Sequence, residues 1–401
     1  MADVTDRRTR YIVLLLHAVF LLSGTATILI GQVLPLFAVR FGLDDLQLSY
    51  FFPVQFSGSL LGTLWSRYFA RRNSFVVAAV IGCAAMSIGV LLLNSDSFVV
   101  CLAGFLLNGI GIGLTLPSIN LLIFELNPVR SGQALSVLNF CWGVGAIICK
   151  PFVDLTSRES SIFLTTALLA LSFAAAALPM YLLGPGFVEP TASTAFAEAD
   201  QVADKPGSIW STGVAWSLAV FNFVHVGYES AVGGWLTTYA ERVEGPHGLQ
   251  LLTPTFLYFS FFVAGRGIAP LFFRIFTVNT VIMIDLVIIL IGTVATLSAD
   301  SVFLLNIGAS IAGFGTASVF PATVARFGNV FGSGSTRRAT PLFIAGTVGA
   351  AAVTSLIGFV SEKTGSLHAG MFVMLACVSA LIILQSFLTI RTGTKTAGGL
   401  N

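Results

Sequence analysis

The chain has 401 residues, of which 56% are hydrophobic and only 9% are Asp, Glu, Lys or Arg, for a net charge of +2. A soluble chain carries about 25% of those four residues to keep its surface wet. This composition therefore excludes a soluble domain, and it also excludes disordered, collagen-like and disulfide-scaffold chains. No basic run is long enough to suggest nucleic acid.

Residues 1–10 (MADVTDRRTR) are polar, and a long apolar run follows without a small-residue cleavage site. That pattern predicts a first membrane span and not a cleaved signal. A crossing needs about 20 apolar residues. Twelve such segments occur: 11–38, 48–69, 75–94, 98–124, 133–152, 161–183, 210–240, 253–274, 278–298, 302–325, 340–360 and 368–389. They are numbered spans 1 to 12. No ten-residue alternating segments occur, so a β-barrel is not expected. Cys83, Cys101, Cys141, Cys149 and Cys377 fall in apolar stretches with no CxxC pair. They read as small buried side chains, with no metal or cofactor implied.

With an even number of spans both termini share one side. Fourteen of the 20 Lys and Arg residues fall on that side, four on the other (Arg40, Arg158, Arg242 and Lys363), and Lys150 and Arg266 lie within spans. The positive-inside rule then places both termini in the cytoplasm of a multi-pass protein in the inner (plasma) membrane. Residues 184–208 carry three prolines, three glycines and four acids with few apolar anchors, which predicts a flexible cytoplasmic linker. The expected organisation is a bundle over 1–183, the linker, and a second bundle over 209–401.

The halves repeat. GIGIGLTLP (109–117) aligns with GFGTASVFP (313–321), and Val144-Gly145-Ala146 with Val348-Gly349-Ala350, both at an offset of 204. Arg67 and Arg274 match at an offset of 207. These matches favour a parallel duplication, with two six-helix bundles facing each other about an approximate two-fold axis along the membrane normal.

Six spans plus six, the central linker and basic 2–3 and 8–9 loops resemble the major facilitator superfamily along the whole chain. Of that family's loop signature G-x-L-x-D-R-x-G-R-R, the stretch GTLWSRYFARR (62–72) keeps Gly62, Leu64, Arg67, Arg71 and Arg72, while Ser66 and Phe69 replace the Asp and the second Gly. Three stretches look like the fucose-permease-like sugar–proton symporters: NFCWGVGAIICKP (139–151), FNFVHVGYESAVGGWLTTY (221–239) and AGRGIAPL (264–271). The acid that fucose permeases carry within span 4 has no counterpart near Leu116. The resemblance implies an all-α membrane fold, a solute and protons as partners, and a monomer.

Ionisable groups inside hydrocarbon are costly and mark function by default. Span 7 places Asn222, His225 and Glu229 on one face, with Tyr228 and Trp235 on an adjacent aromatic face. A carboxylate, an imidazole, an amide and flat rings suit a polyhydroxylated solute. Gly233-Gly234 offers a place for span 7 to unwind beside a cavity. Span 5 contributes Asn139 and Trp142, and its Lys150 is spaced to pair with Asp154. Gln32 and Asn120 complete the substrate candidates, while Asn108 and Gln55 read as packing amides. Glu229, Arg266 and Asp285 are the proton-coupling candidates, with Asp285 or Glu229 as the partner of Arg266.

No G-x-x-x-x-G-K-[ST] sequence occurs, so ATP is not the expected driver. The reading is a secondary transporter of a small polar solute, a sugar first, working by alternating access coupled to protons. Proton-coupled efflux of drugs or metabolites is the alternative. A membrane glycosyltransferase using Asp44-Asp45 is a remote one; no enzyme activity is expected.

Overall fold

The computed structural model describes residues 2–72, 74–127, 131–158, 161–184, 209–244, 252–331 and 339–397. The expected linker over 185–208 lies outside them, as do Arg130, Lys205, Arg337 and Arg338, four residues behind the topology expectation. Among the described residues the chain is helical, with one isolated β-bridge between Arg158 and Ser161.

The spans become helices close to their expected limits. Spans 1 to 6 are Ala2–Phe41, Phe51–Arg71, Phe75–Leu92, Phe98–Leu126, Ser131–Thr156 and Phe163–Leu183. Spans 7, 8, 9, 11 and 12 are Gly213–Glu244, Pro254–Ile275, Val278–Leu297, Thr340–Thr364 and Leu367–Ala397. Span 10 departs from expectation. It is two helices, Val302–Thr316 and Val319–Phe331, separated at Ala317 and Ser318. Pro321 contributes one freed group there: it has no N–H for the carbonyl of Ala317 four residues back, and its ring crowds that carbonyl. Span 7 runs unbroken through Gly233-Gly234, so the unwinding expected there does not occur. Arg326, one residue past the expected end of span 10, sits buried in the second piece of that span and donates to Gln385 Oε1 at 2.6 Å.

Ten of these segments are long and apolar enough to cross a membrane. The helices of spans 2 and 7 fall outside that set because they are more polar. Span 2 carries Gln55, Ser57, Ser59, Thr63 and Ser66, and span 7 carries Asn222, His225 and Glu229.

The chain divides into two compact units, one holding spans 1–6 and one holding spans 7–12. Inside the first, span 1 packs on span 5, span 4 on spans 2 and 3, and span 6 on spans 3 and 1. Inside the second, span 7 packs on span 11, span 10 on spans 8 and 9, and span 12 on spans 9 and 7. The pairing is the same, shifted by six spans. Glycine contacts repeat with it. A methyl on Gly109 would overlap the Gln55 carbonyl of span 2, and one on Gly313 the Tyr258 carbonyl of span 8. Gly111 lies against Gly82 and Met86 of span 3, as Gly315 lies against Asp285 and Ile289 of span 9. Small residues matter here because lipid is as apolar as leucine, so helices associate through close van der Waals contact.

Amides tie the first unit together as expected. Asn108 Nδ2 donates to the Ala26 carbonyl at 3.2 Å and to Gln55 Oε1 at 3.4 Å, and Gln55 Nε2 donates to the Thr27 carbonyl at 3.3 Å. In the second unit, the Tyr239 hydroxyl and His368 Nδ1 lie 2.7 Å apart and join spans 7 and 12.

Candidate functional site

The second unit carries a cluster of charge at the break in span 10. Gly265 on span 8 lets that helix approach Phe314 and Ala317, and the next residue, Arg266, points its Nε–H at the Ala317 carbonyl, 3.4 Å away. That carbonyl is the one Pro321 cannot serve. The guanidinium also lies over the Phe262 ring, 4.1 Å from its centroid, a cation–π contact strengthened by poor solvation. Gly315 brings span 9 equally close, and the hydroxyl of Ser318 donates to the buried carboxylate of Asp285. Arg266 and Asp285 therefore do not pair directly. They hold adjacent residues of the break from two sides.

Glu229 of span 7 is half-buried and makes no hydrogen bond or ion pair among the described residues. It interacts electrostatically with Arg266 and with Tyr258 of span 8. His225, one turn away, is fully buried, and neither ring nitrogen has a partner among the described residues. Buried polar atoms normally find partners, so this face of span 7 is polar beyond the needs of packing.

The other span 7 candidates sit differently. Asn222 Nδ2 donates to the Leu342 carbonyl of span 11 at 2.9 Å, leaving Oδ1 without a partner among the described residues. The Tyr228 hydroxyl lies 2.8 Å from Thr293 Oγ1 of span 9, and Trp235 Nε1 donates to the Thr354 carbonyl of span 11 at 3.0 Å. Both rings are fully buried. They are held inside the bundle, with their polar ends engaged. Trp235→Phe should lower stability by about 1 kcal/mol for the lost bond, and Trp235→Ala by about 3–5 kcal/mol for the cavity; thermal unfolding of the purified variants measures both.

In the first unit, Gln32 is buried, with Nε2 3.5 Å from the Ile28 carbonyl of its own helix. Asn120 is half-buried and bonds back to the Leu116 carbonyl at 2.9 Å. Asn139 is exposed and bonds back to the Leu135 carbonyl at 2.8 Å, and Trp142 is half-buried. Lys150 and Asp154 form the ion pair their spacing suggests, at 2.5 Å. Asp44, which the glycosyltransferase alternative relied on, caps a short helix, Asp45–Ser49. Its carboxylate accepts the Gln47 N–H at 2.7 Å while Gln47 Oε1 accepts the Asp44 N–H at 3.1 Å.

Sequence reasoning missed Ser318, the Ala317 carbonyl and Tyr258. The proline at 321 was the available signal for the first two, because it frees one carbonyl in the middle of a span. Tyr258 is fully buried, with its hydroxyl directed toward Thr316 of span 10.

Comparisons with known proteins agree with this architecture. Residues 4–149 match the family model of the Major Facilitator Superfamily. No curated relative matches the sequence significantly. A D-xylose–proton symporter superposes with a TM-score of 0.71 at 17% identity, covering 95% of this chain and 97% of that one. A fucose:proton symporter from E. coli gives 0.61 at 16% identity, covering 94% and 98%. An inward-facing bacterial homologue of the human lysosomal transporter Spinster gives 0.73 at 15% identity, covering 96% of each chain. Residues 4–149 are thus similar in sequence to the Major Facilitator Superfamily, and over its length the chain has the fold of these transporters.

Proposed function

We propose that the protein is a secondary transporter that moves a small polar solute, in the first place a sugar, by alternating access coupled to protons. The observation that carries this reading is Glu229: a half-buried carboxylate in a membrane span, with no bond of its own among the described residues, beside an arginine. A carboxylate held by a fixed ion pair is a structural element, whereas an unpaired one that senses a cation is free to gain and lose a proton. Asn120, Asn139 and Trp142 are the proposed solute contacts of the first unit, and His225 with Asn222 those of the second. The resemblance to xylose and fucose proton symporters supports a sugar as cargo. The proposed setting is the inner (plasma) membrane, with both termini cytoplasmic and the chain acting as a monomer.

A second reading, proton-coupled efflux of an apolar or cationic compound, draws support from the burial of Tyr228 and Trp235. Their rings are not available to stack on a sugar. Proton movement in vesicles separates the two. Adding a pentose or hexose panel should draw protons along with the solute under symport. A panel of cationic drugs should drive protons the opposite way under antiport. No pH response to any sugar, together with a counter-directed response to a drug, overturns the first reading in favour of the second.

A further inference from the structure

We propose that Arg326 and the first turn of span 9 form a site for a phosphate group, carried by a phospholipid headgroup or free in solution. The site uses neither Glu229 nor Arg266 and does not rest on the transport reading.

Arg326 is the unexplained charge of the second unit. It is 3% exposed, and a guanidinium taken out of water costs heavily unless an anion faces it. Its Nη2 donates to Gln385 Oε1, while Nε and Nη1 are buried without a partner among the described residues. It belongs to no ion pair among the described residues. The described acids of this unit lie elsewhere. Asp285 stands about 9 Å further along span 9 than Asn279 and is engaged by Ser318. Glu229, Glu241 and Glu244 lie in the second half of span 7, and Asp300 and Glu362 at the opposite ends of spans 9 and 11.

Gln385 connects this arginine to span 9. Its Nε2 donates to the Asn279 carbonyl at 2.9 Å and to Thr389 Oγ1 at 3.2 Å. Asn279 is the second residue of a 20-residue helix, whose start presents unpaired N–H groups and the positive end of the helix dipole. Thr277 serves two of those groups. Its Oγ1 accepts the Thr280 N–H at 3.3 Å, and its carbonyl accepts the Val281 N–H at 2.9 Å. The N–H groups of Val278 and Asn279 bond to nothing among the described residues. One amide side chain thus joins two sets of unsatisfied donors. A phosphate, with several anionic oxygens, is the ligand that a guanidinium fork and a helix start both fit.

The depth is that of lipid headgroups. Span 9 begins at this end of the unit, and Trp210 stacks on Phe327, the residue after Arg326, at 5.8 Å. Trp216 is exposed and donates to the Trp210 carbonyl at 2.7 Å; tryptophan favours the membrane–water boundary. Thr389 is exposed, so Gln385 alone stands between it and Arg326. A phosphate entering past Thr389 takes the place of the Gln385 oxygen and meets the guanidinium. Ile275 and Ile390, close in sequence to Thr277 and Thr389, are exposed and suit acyl chains. Packing does not call for the charge. The offset of 204 sets Leu122 of span 4 against Arg326, and Leu122 is fully buried. A leucine fills that place in the first unit, so what the arginine adds is charge and donors.

Thermal unfolding of the full chain in phosphate-free maltoside micelles tests this, with inorganic phosphate and a short-chain phosphatidylglycerol added separately. A ligand that binds the folded state alone raises Tm as its concentration grows. At least one probe should raise the parent's Tm by several degrees. Arg326→Leu, which copies Leu122, should fold and lose the response. Arg326→Lys keeps the charge without the fork and should respond only at about tenfold higher probe concentration, the loss of one charge-assisted hydrogen bond. Val278→Pro removes one N–H at the first helical position, where proline is tolerated. Thr277 before it is already extended, at φ −67° and ψ 155°, as a following proline requires. This variant should lose affinity by a similar factor. A response to phosphate alone assigns the site to a soluble phosphate, and a response to the lipid alone assigns it to a headgroup. No rise with either probe, or a rise that survives in Arg326→Leu, overturns the site. Should Arg326→Leu not fold, Arg326→Lys and Val278→Pro decide: a weakened response in either supports the site, and parent-like responses in both overturn it.

Discussion

Glu229→Gln is expected to abolish uphill transport while sparing downhill exchange. Glutamine keeps the size and hydrogen-bonding capacity of a protonated glutamate, so span 7 and its packing against span 11 should survive. What it removes is the ability to carry a proton in one direction and return without it. A gradient of one pH unit stores about 1.4 kcal/mol per proton, enough for about tenfold accumulation of a solute moved one-to-one. The parent should approach that ratio under an imposed gradient, and Glu229→Gln should stay at one. Counterflow, which needs alternating access but no net proton movement, should continue at a rate close to the parent's. The two assays run on the same vesicles, so a variant that simply fails to insert loses both. If Glu229→Gln accumulates solute as well as the parent, the coupling carboxylate lies elsewhere, and Asp285 is the next to test.

Most of the helical framework was legible in the sequence because lipid imposes it. Every crossing must satisfy its own backbone and must be about 20 residues long, so apolar runs and the polar signals between them set the ends. Thr253 caps span 8 by accepting the Phe256 N–H at 3.2 Å, with Pro254 as the first helical residue, and Thr277 caps span 9 by accepting the Thr280 N–H at 3.3 Å. The internal repeat was legible for a steric reason: Gly109 and Gly313 meet the same demand from spans 2 and 8. The break in span 10 was not. Pro117 and Pro321 look alike in the sequence, yet only the second interrupts a helix. What differs is the set of charged neighbours, Arg266 and Asp285, that come to the freed carbonyl and to Ser318 from two other spans. Helical spacing also placed Tyr228 and Trp235 on a face of span 7 without saying which helices that face meets. Thr293 of span 9 and the Thr354 carbonyl of span 11 turn them inward, and no local pattern carries that information.

Losses of stability are also expected where two backbones touch. Gly145→Ala would push a methyl into the Leu21 carbonyl of span 1, and Gly349→Ala would do the same to the Phe223 carbonyl of span 7. A side-chain neighbour can rotate away, but a carbonyl built into a helix cannot. The helices must therefore separate along their length, and every close contact on either side weakens with them. Forced overpacking of this kind costs about 1–3 kcal/mol or more, which in a unit of this size lowers Tm by several degrees, at about 2–4 °C per kcal/mol. Gly267→Ala on span 8 is the control, because no atom lies within 4 Å of the added carbon. There alanine is the better helix former, by about 0.5–1 kcal/mol, so Tm should hold or rise. The two damaging substitutions sit at matched positions of the repeat, so their losses should also match. Equal melting of Gly145→Ala and Gly267→Ala would contradict the close approach of spans 1 and 5. A large loss at Gly145 with none at Gly349 would contradict the equivalence of the two bundles, because the same backbone contact would then be doing different work in each.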